Sequence, residues 1–273
     1  MESNPLVSVV IPTRNRPAMT AAAVRSVLDG AYPNVEVIVV DGNSEDDTRE
    51  VCQAAGARVI RFTQEGDHRC EQRNVGVEEA RGTYVLIMDS DMTLESGVLA
   101  ECVALMQSNE SISALVVPEV SFGKGFWAQC KSLEKAYYQG VPWMEAARFF
   151  RRDLYLQLGG YNPALTSGED WDLSQRAAER GALGRTVAHI NHNEGSMSLW
   201  DTVKKKYYYA SKFTAYTEQT ESVNLGKQTS IVARYALFFS QPRLMLRHPI
   251  RWVGMIVMKT SEFGGGAIGL IFK

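Results

Sequence analysis

Short, nearly unbroken apolar runs recur through the first part of the chain, each followed by a polar turn and then an amphipathic stretch. Residues 6–11, 35–40, 58–62 and 84–88 read as strands. Runs without polar alternation are those of strands covered on both faces, as in parallel sheets. Between them, residues 18–28, the stretch that follows the turn residues 42–47 and runs to about 55, and 69–81 read as helices, closed by Asp29-Gly30, Gly56 and Gly82. Strand alternating with helix argues for an α/β fold with right-handed crossovers. Further on, the pattern predicts a helix over 94–107 and strands over 114–117 and 145–150. A short helix over 153–158, a helix opened by 166–172 and reaching Arg180, and a strand over 186–190 follow. The glycine-rich residues 122–127 read as a mobile connection.

The pattern changes after Ile231. Apolar clusters alternate with Arg243, Arg247 and Arg251. On a helix of ~3.6 residues per turn, Arg251, Lys259 and Glu262 fall within roughly 80° of one another. The rest of the circumference carries Trp252, Val253, Met255, Ile256, Val257 and Met258. Such a helix can lie in a bilayer interface with arginines reaching headgroups, or belong to a helical pair that packs against the catalytic domain or forms a dimer. The expectation is a membrane surface met through 231–273. Domains are accordingly expected at 1–197, catalytic, and at 198–273, a basic amphipathic helical region.

Charge supports that division. Residues 1–197 hold 18 Lys and Arg against 27 Asp and Glu, a balance of −9; residues 198–273 hold 11 against 4, a balance of +7. Cys52, Cys70, Cys102 and Cys130 lack metal or disulfide spacing and read as buried reduced thiols. The first strand begins too early to leave room for a signal peptide, and no 18-residue apolar run suggests a spanning helix. These features fit a cytoplasmic protein, peripheral at the cytoplasmic face of the membrane. Nucleic acid is not an expected partner, because most of the molecule is acidic.

Candidate chemistry gathers where the strands end: Thr13 and Arg14, Asp41, then Asp89 and Asp91. Carboxyl ends of strands are where ligands sit in open α/β sheets. Asp89 and Asp91 are two apart, so an extended backbone points them the same way. A turn after a strand is one reading; a hard divalent cation carrying phosphate oxygens is the other. Glu169, Asp170 and Asp172 open a helix, where the macrodipole favours acids. His189 and His192, three apart, face opposite sides of a strand and make a poor joint zinc site. Arg148 could meet phosphate or acceptor, or be a surface residue. Lys204-Lys205-Lys206-Tyr207-Tyr208-Tyr209 could clamp a diphosphate, lie on an anionic surface or form a solvated helix face.

Several of these stretches, in order and in register over roughly residues 6–195, resemble the inverting family-2 glycosyltransferases of the GT-A fold. They are Val9-Val10-Ile11-Pro12-Thr13-Arg14-Asn15-Arg16, Val39-Val40-Asp41-Gly42-Asn43-Ser44-Glu45-Asp46-Asp47-Thr48, Arg73-Asn74-Val75-Gly76, Asp89-Ser90-Asp91 and Gly168-Glu169-Asp170. The resemblance implies a mostly parallel, Rossmann-like sheet flanked by helices. It implies a nucleotide-diphospho-sugar donor such as a UDP- or GDP-sugar, and a saccharide or lipid-linked acceptor. Pro12, Thr13 and Arg14 would line the nucleotide pocket, Asp41 would accept from the base, and Arg73 would reach the donor's ribose or phosphates. Asp46 or Ser44 would fix the Asp41 loop. Asp89 would contact ribose or metal, Asp91 would bind Mg²⁺ or Mn²⁺, and His192 would complete the metal or phosphate site. Asp170 would be the general base. The departure is Gly42-Asn43, where many members carry Asp-Gly; it removes a carboxylate and leaves the base open.

Two other readings compete. A sugar-phosphate nucleotidyltransferase shares the architecture but would want a G-x-G-T-R loop where this chain has Pro12-Thr13-Arg14. A non-catalytic membrane-peripheral scaffold would not need Asp89, Asp91 and Asp170 together. Gly264-Gly265-Gly266-Ala267-Ile268-Gly269 satisfies G-x-G-x-x-G, but the chain has no room after it for a βαβ unit.

Overall fold

The expected alternation is realised, with β-branched runs in strands and alanine-rich or amphipathic stretches in helices. The structure, a computed structural model, describes residues 4–64, 68–219 and 225–271. In chain order the elements are β1 (Val7–Thr13), α1 (Pro17–Leu28), β2 (Val35–Asp41), α2 (Thr48–Ala54), β3 (Arg58–Arg61) and α3 (Arg69–Glu78). Then come β4 (Tyr84–Ile87), β5 (Met92–Leu94), α4 (Val98–Ser108), β6 (Ile112–Val116), β7 (Glu119–Lys124), α5 (Phe126–Tyr138) and β8 (Ala147–Arg151). The chain continues with α6 (Arg152–Gln157), α7 (Glu169–Ala178), β9 (Ala182–Arg185), β10 (Ile190–Ser196) and α8 (Leu199–Gln219). It ends in α9 (Leu225–Thr229), α10 (Ile231–Ser240), α11 (Pro242–Arg247) and α12 (Pro249–Ile271).

Two compact units emerge. One comprises the chain to Pro118, Ala146–Pro163 and Glu169–Asn191; the other Glu119–Glu145, Ala164–Gly168 and the chain from His192. The second unit therefore reaches back beyond the boundary expected at residue 197.

The first unit is built on a seven-stranded sheet ordered β3-β2-β1-β4-β8-β6-β9. β1 is parallel to β2 and β4, β2 to β3, and β6 to β9, while β8 runs antiparallel to β4 and β6. Register sets Thr13 beside Asp41, and Val10 beside Ile87, so the carboxyl ends of β1, β2 and β4 share one rim. Each face of the sheet carries its own apolar core. One includes Val9, Ile11, Val39, Leu86 and Phe149; the other includes Val10, Ile38, Val40, Ile87 and Phe150. Adjacent residues of one strand divide between the two, as the period of two requires.

Sequence and structure differ in three places. Residues 119–138 are ordered as β7 and α5, not a mobile connection: β7 alternates half-buried and exposed positions, and Gly125, with φ 85°, turns the chain into α5. The strand expected over 186–190 resolves into β9 before it and β10 after it, so His192 lies inside a strand. The third difference is the orientation of α12. Two of its three polar-stripe residues face inward: Lys259 and Glu262 are buried and meet Lys131 and Glu134 of α5, while Arg251 is exposed. Lys259 Nζ lies 2.5 Å from Glu134 Oε1 and 2.6 Å from Glu262 Oε2, and Lys131 Nζ lies 2.9 Å from Glu134 Oε2. Burial by itself would raise the Glu134 carboxyl, but Lys131 and Lys259 hold it well below the ordinary range.

Around this quartet Tyr137, Phe238, Met255 and Met258 form the second unit's core. The Gly264–Gly269 stretch lies within α12 and serves close packing. A Cβ on Gly265 would stand 2.7 Å from Val203 Cγ1, and one on Gly269 2.5 Å from the Tyr207 carbonyl oxygen, both on α8. No helix among the described residues is long and apolar enough to cross a membrane.

Candidate active site

The site is assembled at the rim of the first unit's sheet around Arg73. Helix α3 carries this side chain inward, where it is only 2% exposed. Its Nη2 donates to Asp89 Oδ1 at 2.7 Å, at the end of β4. Its Nη1 lies 3.4 Å from Glu169 Oε1 and 3.6 Å from Asp170 Oδ1, in the first turn of α7. The guanidinium also stacks over Tyr161, 4.9 Å from the ring centre. Burial opposes its charge, but Asp89, Asp170 and Glu169 outweigh that cost and hold the pKa well above its ordinary value. The hydrogen bonds of Arg73 go to carboxylates of its own chain, Glu169 and Asp89.

The same residues hold the surrounding loops. Asn74, next to Arg73, donates to the Tyr161 carbonyl at 2.8 Å and accepts from the Tyr155 hydroxyl at 2.7 Å. The start of α7 is tied to β8 through Ser174, whose hydroxyl donates to the Asp170 carbonyl at 2.7 Å and accepts from the Ala147 amide at 2.8 Å.

The two acids of α7 differ in environment. Glu169 is 10% exposed, and burial together with Asp170 raises its pKa. Asp170 is 33% exposed, with Oδ1 covered and not hydrogen-bonded. Of the pair, Asp170 is the one a substrate can reach.

Asp89 is flanked on its other side by Arg148, buried on β8, with Nη2 3.5 Å from Asp89 Oδ2. Arg148 is therefore not a surface residue. Asp91 Oδ2 lies 2.8 Å from Nη1 of the exposed Arg16. Arg14 is exposed, whereas Pro12 and Thr13 are buried, and the Thr13 hydroxyl is 2.7 Å from that of Thr20.

Asp41 is fully covered. Its Oδ2 accepts from the Ser44 amide at 3.1 Å and from Arg49 at 3.0 Å, and its Oδ1 accepts from the Ser44 hydroxyl. This carboxylate is held by the Ser44 turn and by Arg49 of α2. In that loop Ser44 Oγ accepts from the Asn15 amide at 2.8 Å, and Asp46 accepts from the Thr48 amide at 3.1 Å. The departure at Gly42-Asn43 has a physical reason. A Cβ on Gly42 would lie 2.1 Å from Gln72 Nε2, so Gln72 fills the place of the missing side chain. Asn43, with φ 59°, adopts the left-handed conformation that glycine takes most easily and asparagine tolerates.

In the second unit, His192 Nδ1 lies 3.1 Å from Glu119 Oε2 on β7. Burial would lower its pKa, but Glu119 and Glu194 raise it above the ordinary histidine value. His189 pairs separately with Glu95, at 3.0 Å.

Whether these residues fit a divalent metal can be judged from the donor set. Among the described residues, no group of three or more His, Cys, Asp and Glu could hold a metal ion. Asp91, one partly exposed carboxylate, fits Mg²⁺ or Mn²⁺ in the manner these ions adopt beside phosphates, with one or two carboxylates and the rest of the shell from substrate and water. The four cysteines are buried and form no disulfide among the described residues; burial pushes Cys52 up to about 11.

A mostly parallel α/β sheet with acids converging on the carboxyl rim of its strands is the frame of a GT-A glycosyltransferase. Residues 8–162 match the profile described as "Glycosyl transferase family 2", and the chain belongs to that family. The PGL/p-HBAD biosynthesis glycosyltransferase of Mycobacterium tuberculosis is 28% identical over 194 residues, covering 68% of this chain and 75% of that protein. The GalNAc(5)-diNAcBac-PP-undecaprenol beta-1,3-glucosyltransferase of Campylobacter jejuni is 32% identical over 142 residues, 48% of this chain and 44% of the relative. Among solved structures, the mannosyltransferase PcManGT from Pyrobaculum calidifontis, in complex with GDP-Man and Mn²⁺, has a TM-score of 0.66 at 16% identity. The match covers 99% of this chain and 88% of that one. TarS 1–349 from S. aureus has a TM-score of 0.58 at 18% identity, covering 92% and 79%. The chain is thus a glycosyltransferase, and the nucleotidyltransferase and scaffold readings fall away.

Proposed function

We propose that the protein transfers a sugar, with inversion, from a nucleotide-diphospho-sugar to the hydroxyl of a saccharide or lipid-linked acceptor. The observation that carries the reading is the Arg73 guanidinium, which spans Asp89 at the end of β4 and Asp170 at the start of α7. Two sequence-distant acids share one site because of it.

In this reading Asp170 takes the proton of the acceptor hydroxyl as that oxygen bonds to the anomeric carbon. The bond from that carbon to the diphosphate oxygen breaks on the opposite face, and its electron pair leaves with the nucleoside diphosphate. Arg73 and Glu169 position Asp170. Asp89, with Arg148 behind it, meets the donor ribose, while Pro12, Thr13, Arg14 and the Asp41 loop border the nucleotide. Asp91 would hold Mg²⁺ or Mn²⁺, which when bound supplies positive charge against the departing diphosphate. Glu119 and Glu194 raise the pKa of His192, which favours its imidazolium form.

The solved mannosyltransferase in complex with GDP-Man and Mn²⁺ supports a GDP- or UDP-sugar donor and one of these metals. The undecaprenol-linked substrate in the name of the Campylobacter relative supports a lipid-linked acceptor. Residues 231–271 meet the membrane from the cytoplasmic side; residues 272 and 273 of the expected segment lie outside the described residues.

The test is Asp170→Asn, assayed for donor hydrolysis and transfer with and without Mn²⁺, beside nucleotide binding by calorimetry. The expected outcome is intact binding and a loss of turnover of about 10²–10⁴-fold, the usual contribution of a positioned general base. Full activity in the variant would remove Asp170 from the mechanism.

A further inference from the structure

A cavity of about 390 Å³ opens within the second unit, between β7 and α5 on one side and α11 and α12 on the other. Its apolar wall includes Phe122, Leu133, Ala136 and Leu244, while His248 and Arg251 supply cationic and hydrogen-bonding groups. The size falls in the range of small-ligand pockets, ~300–1,000 Å³. An apolar chamber with an arginine beside it suits an amphiphile carrying a negative head.

The surface around it has the same character. Because Lys259 and Glu262 point inward, α12 turns Ile250, Val253 and Val257 outward, with Ile250 75% and Val253 57% exposed. Leu246 of α11 is exposed as well. Arg243, Arg247 and Arg251 stand among these residues, exposed, and among the described residues none of the three is ion-paired. Charge complementarity selects the occupant: from 222 to 261 the sequence contains no Asp or Glu, but six Lys and Arg. Apolar side chains interleaved with long cationic ones match a layer of anionic headgroups over hydrocarbon, where arginine stems lie along apolar surface and their heads reach phosphate.

We infer that this cavity and the α11–α12 face around it form a binding site for a phosphate-bearing lipid. The hydrocarbon chain enters between Phe122, Leu133, Ala136 and Leu244. The phosphate meets Arg251 and His248, and Leu246, Ile250 and Val253 sit in the surrounding interface. This deepens the acceptor half of the reading above and rests on it for the lipid's role, but not for its binding.

The test uses the full chain and monodisperse lysophosphatidic acid, followed by tryptophan fluorescence without donor. Lysophosphatidylcholine and inorganic phosphate serve as comparison probes. Saturable binding of lysophosphatidic acid is expected, about fivefold weaker in Arg251→Gln, the effect of one basic residue at an anionic surface. Ala136→Phe, which fills the cavity, is expected to abolish saturation. Arg251 lies on the surface, so its variant tests the assignment even where Ala136→Phe fails to fold. Unchanged affinity in Arg251→Gln would overturn the assignment, as would inorganic phosphate binding as tightly as the lipid, which would mark a site for free phosphate. Because lipid binding is read without donor, and donor hydrolysis without lipid, failure of one reading is distinguishable from failure of the other.

Discussion

Arg73 shows how one buried charge organises several acids. A guanidinium taken from water is strongly disfavoured unless carboxylates surround it, and here Asp89, Glu169 and Asp170 do so from two elements. The acids were legible in the sequence because each sits at a position with its own local logic, the end of a buried strand or the first turn of a helix. The burial of Arg73 was not, since two of its partners lie 16 and 96 residues away and no local pattern marks the pairing. The same holds for Asp41, whose closure on Ser44 and Arg49 depends on the bend of the loop. Arg73→Met would take the guanidinium from Glu169 and Asp170 and leave Asp89 with Arg148, and is expected to cost about 3–5 kcal/mol in urea unfolding. Arg73→Lys keeps a charge but has no planar fork to span Asp89 and Asp170. It is expected to recover part of the stability while transfer stays impaired.

At the level of elements, the continuous apolar runs made the parallel strands readable, whereas β7 and α5 were obscured by Gly123 and Gly125 and by β7's weak alternation. Helix α12 illustrates a different limit. Periodicity reveals that a helix has a narrow polar stripe, but not which side meets the core. A signal was present: Lys131-x-x-Glu134 and Lys259-x-x-Glu262 are two like-spaced ion pairs in apolar surroundings, each able to satisfy the other. Lys259→Met is expected to destabilise by about 3–5 kcal/mol in denaturant titration, because Glu134 and Glu262 would then share Lys131 alone. Strands β7 and β10 carry a pH-dependent link between Glu119 and His192. The folded-state pKa of His192 is raised, so its contribution is fully present below the unfolded value near 6.5 and is lost as pH rises through the folded value. The melting temperature should therefore fall over that window, and His192→Gln should flatten the fall; an identical profile in the variant would count against the pairing.

For the molecule as a whole, a net charge of −2 would by itself argue against an anionic membrane as partner. Net charge is the wrong quantity at physiological salt, where the Debye length is about 8 Å and a surface responds only to the charges that face it. What matters is that residues 198–273 carry a balance of +7, and that the apolar residues around Arg243, Arg247 and Arg251 are turned outward. The proposed attachment would have two parts with different salt responses: the arginine–headgroup part is screened, while burial of Leu246, Ile250, Val253 and Val257 is not. Flotation with phosphatidylcholine vesicles containing phosphatidylglycerol should recover the full chain at 0.1 M salt and less of it at 0.5 M. Arg243→Gln/Arg247→Gln should lose the salt-sensitive part, about fivefold per arginine. Val253→Asp should instead lower binding at both salt concentrations by a similar factor. If vesicles without anionic lipid recover the protein equally well at both salts, the arginines have no part in the attachment, and the surface would be read as purely apolar.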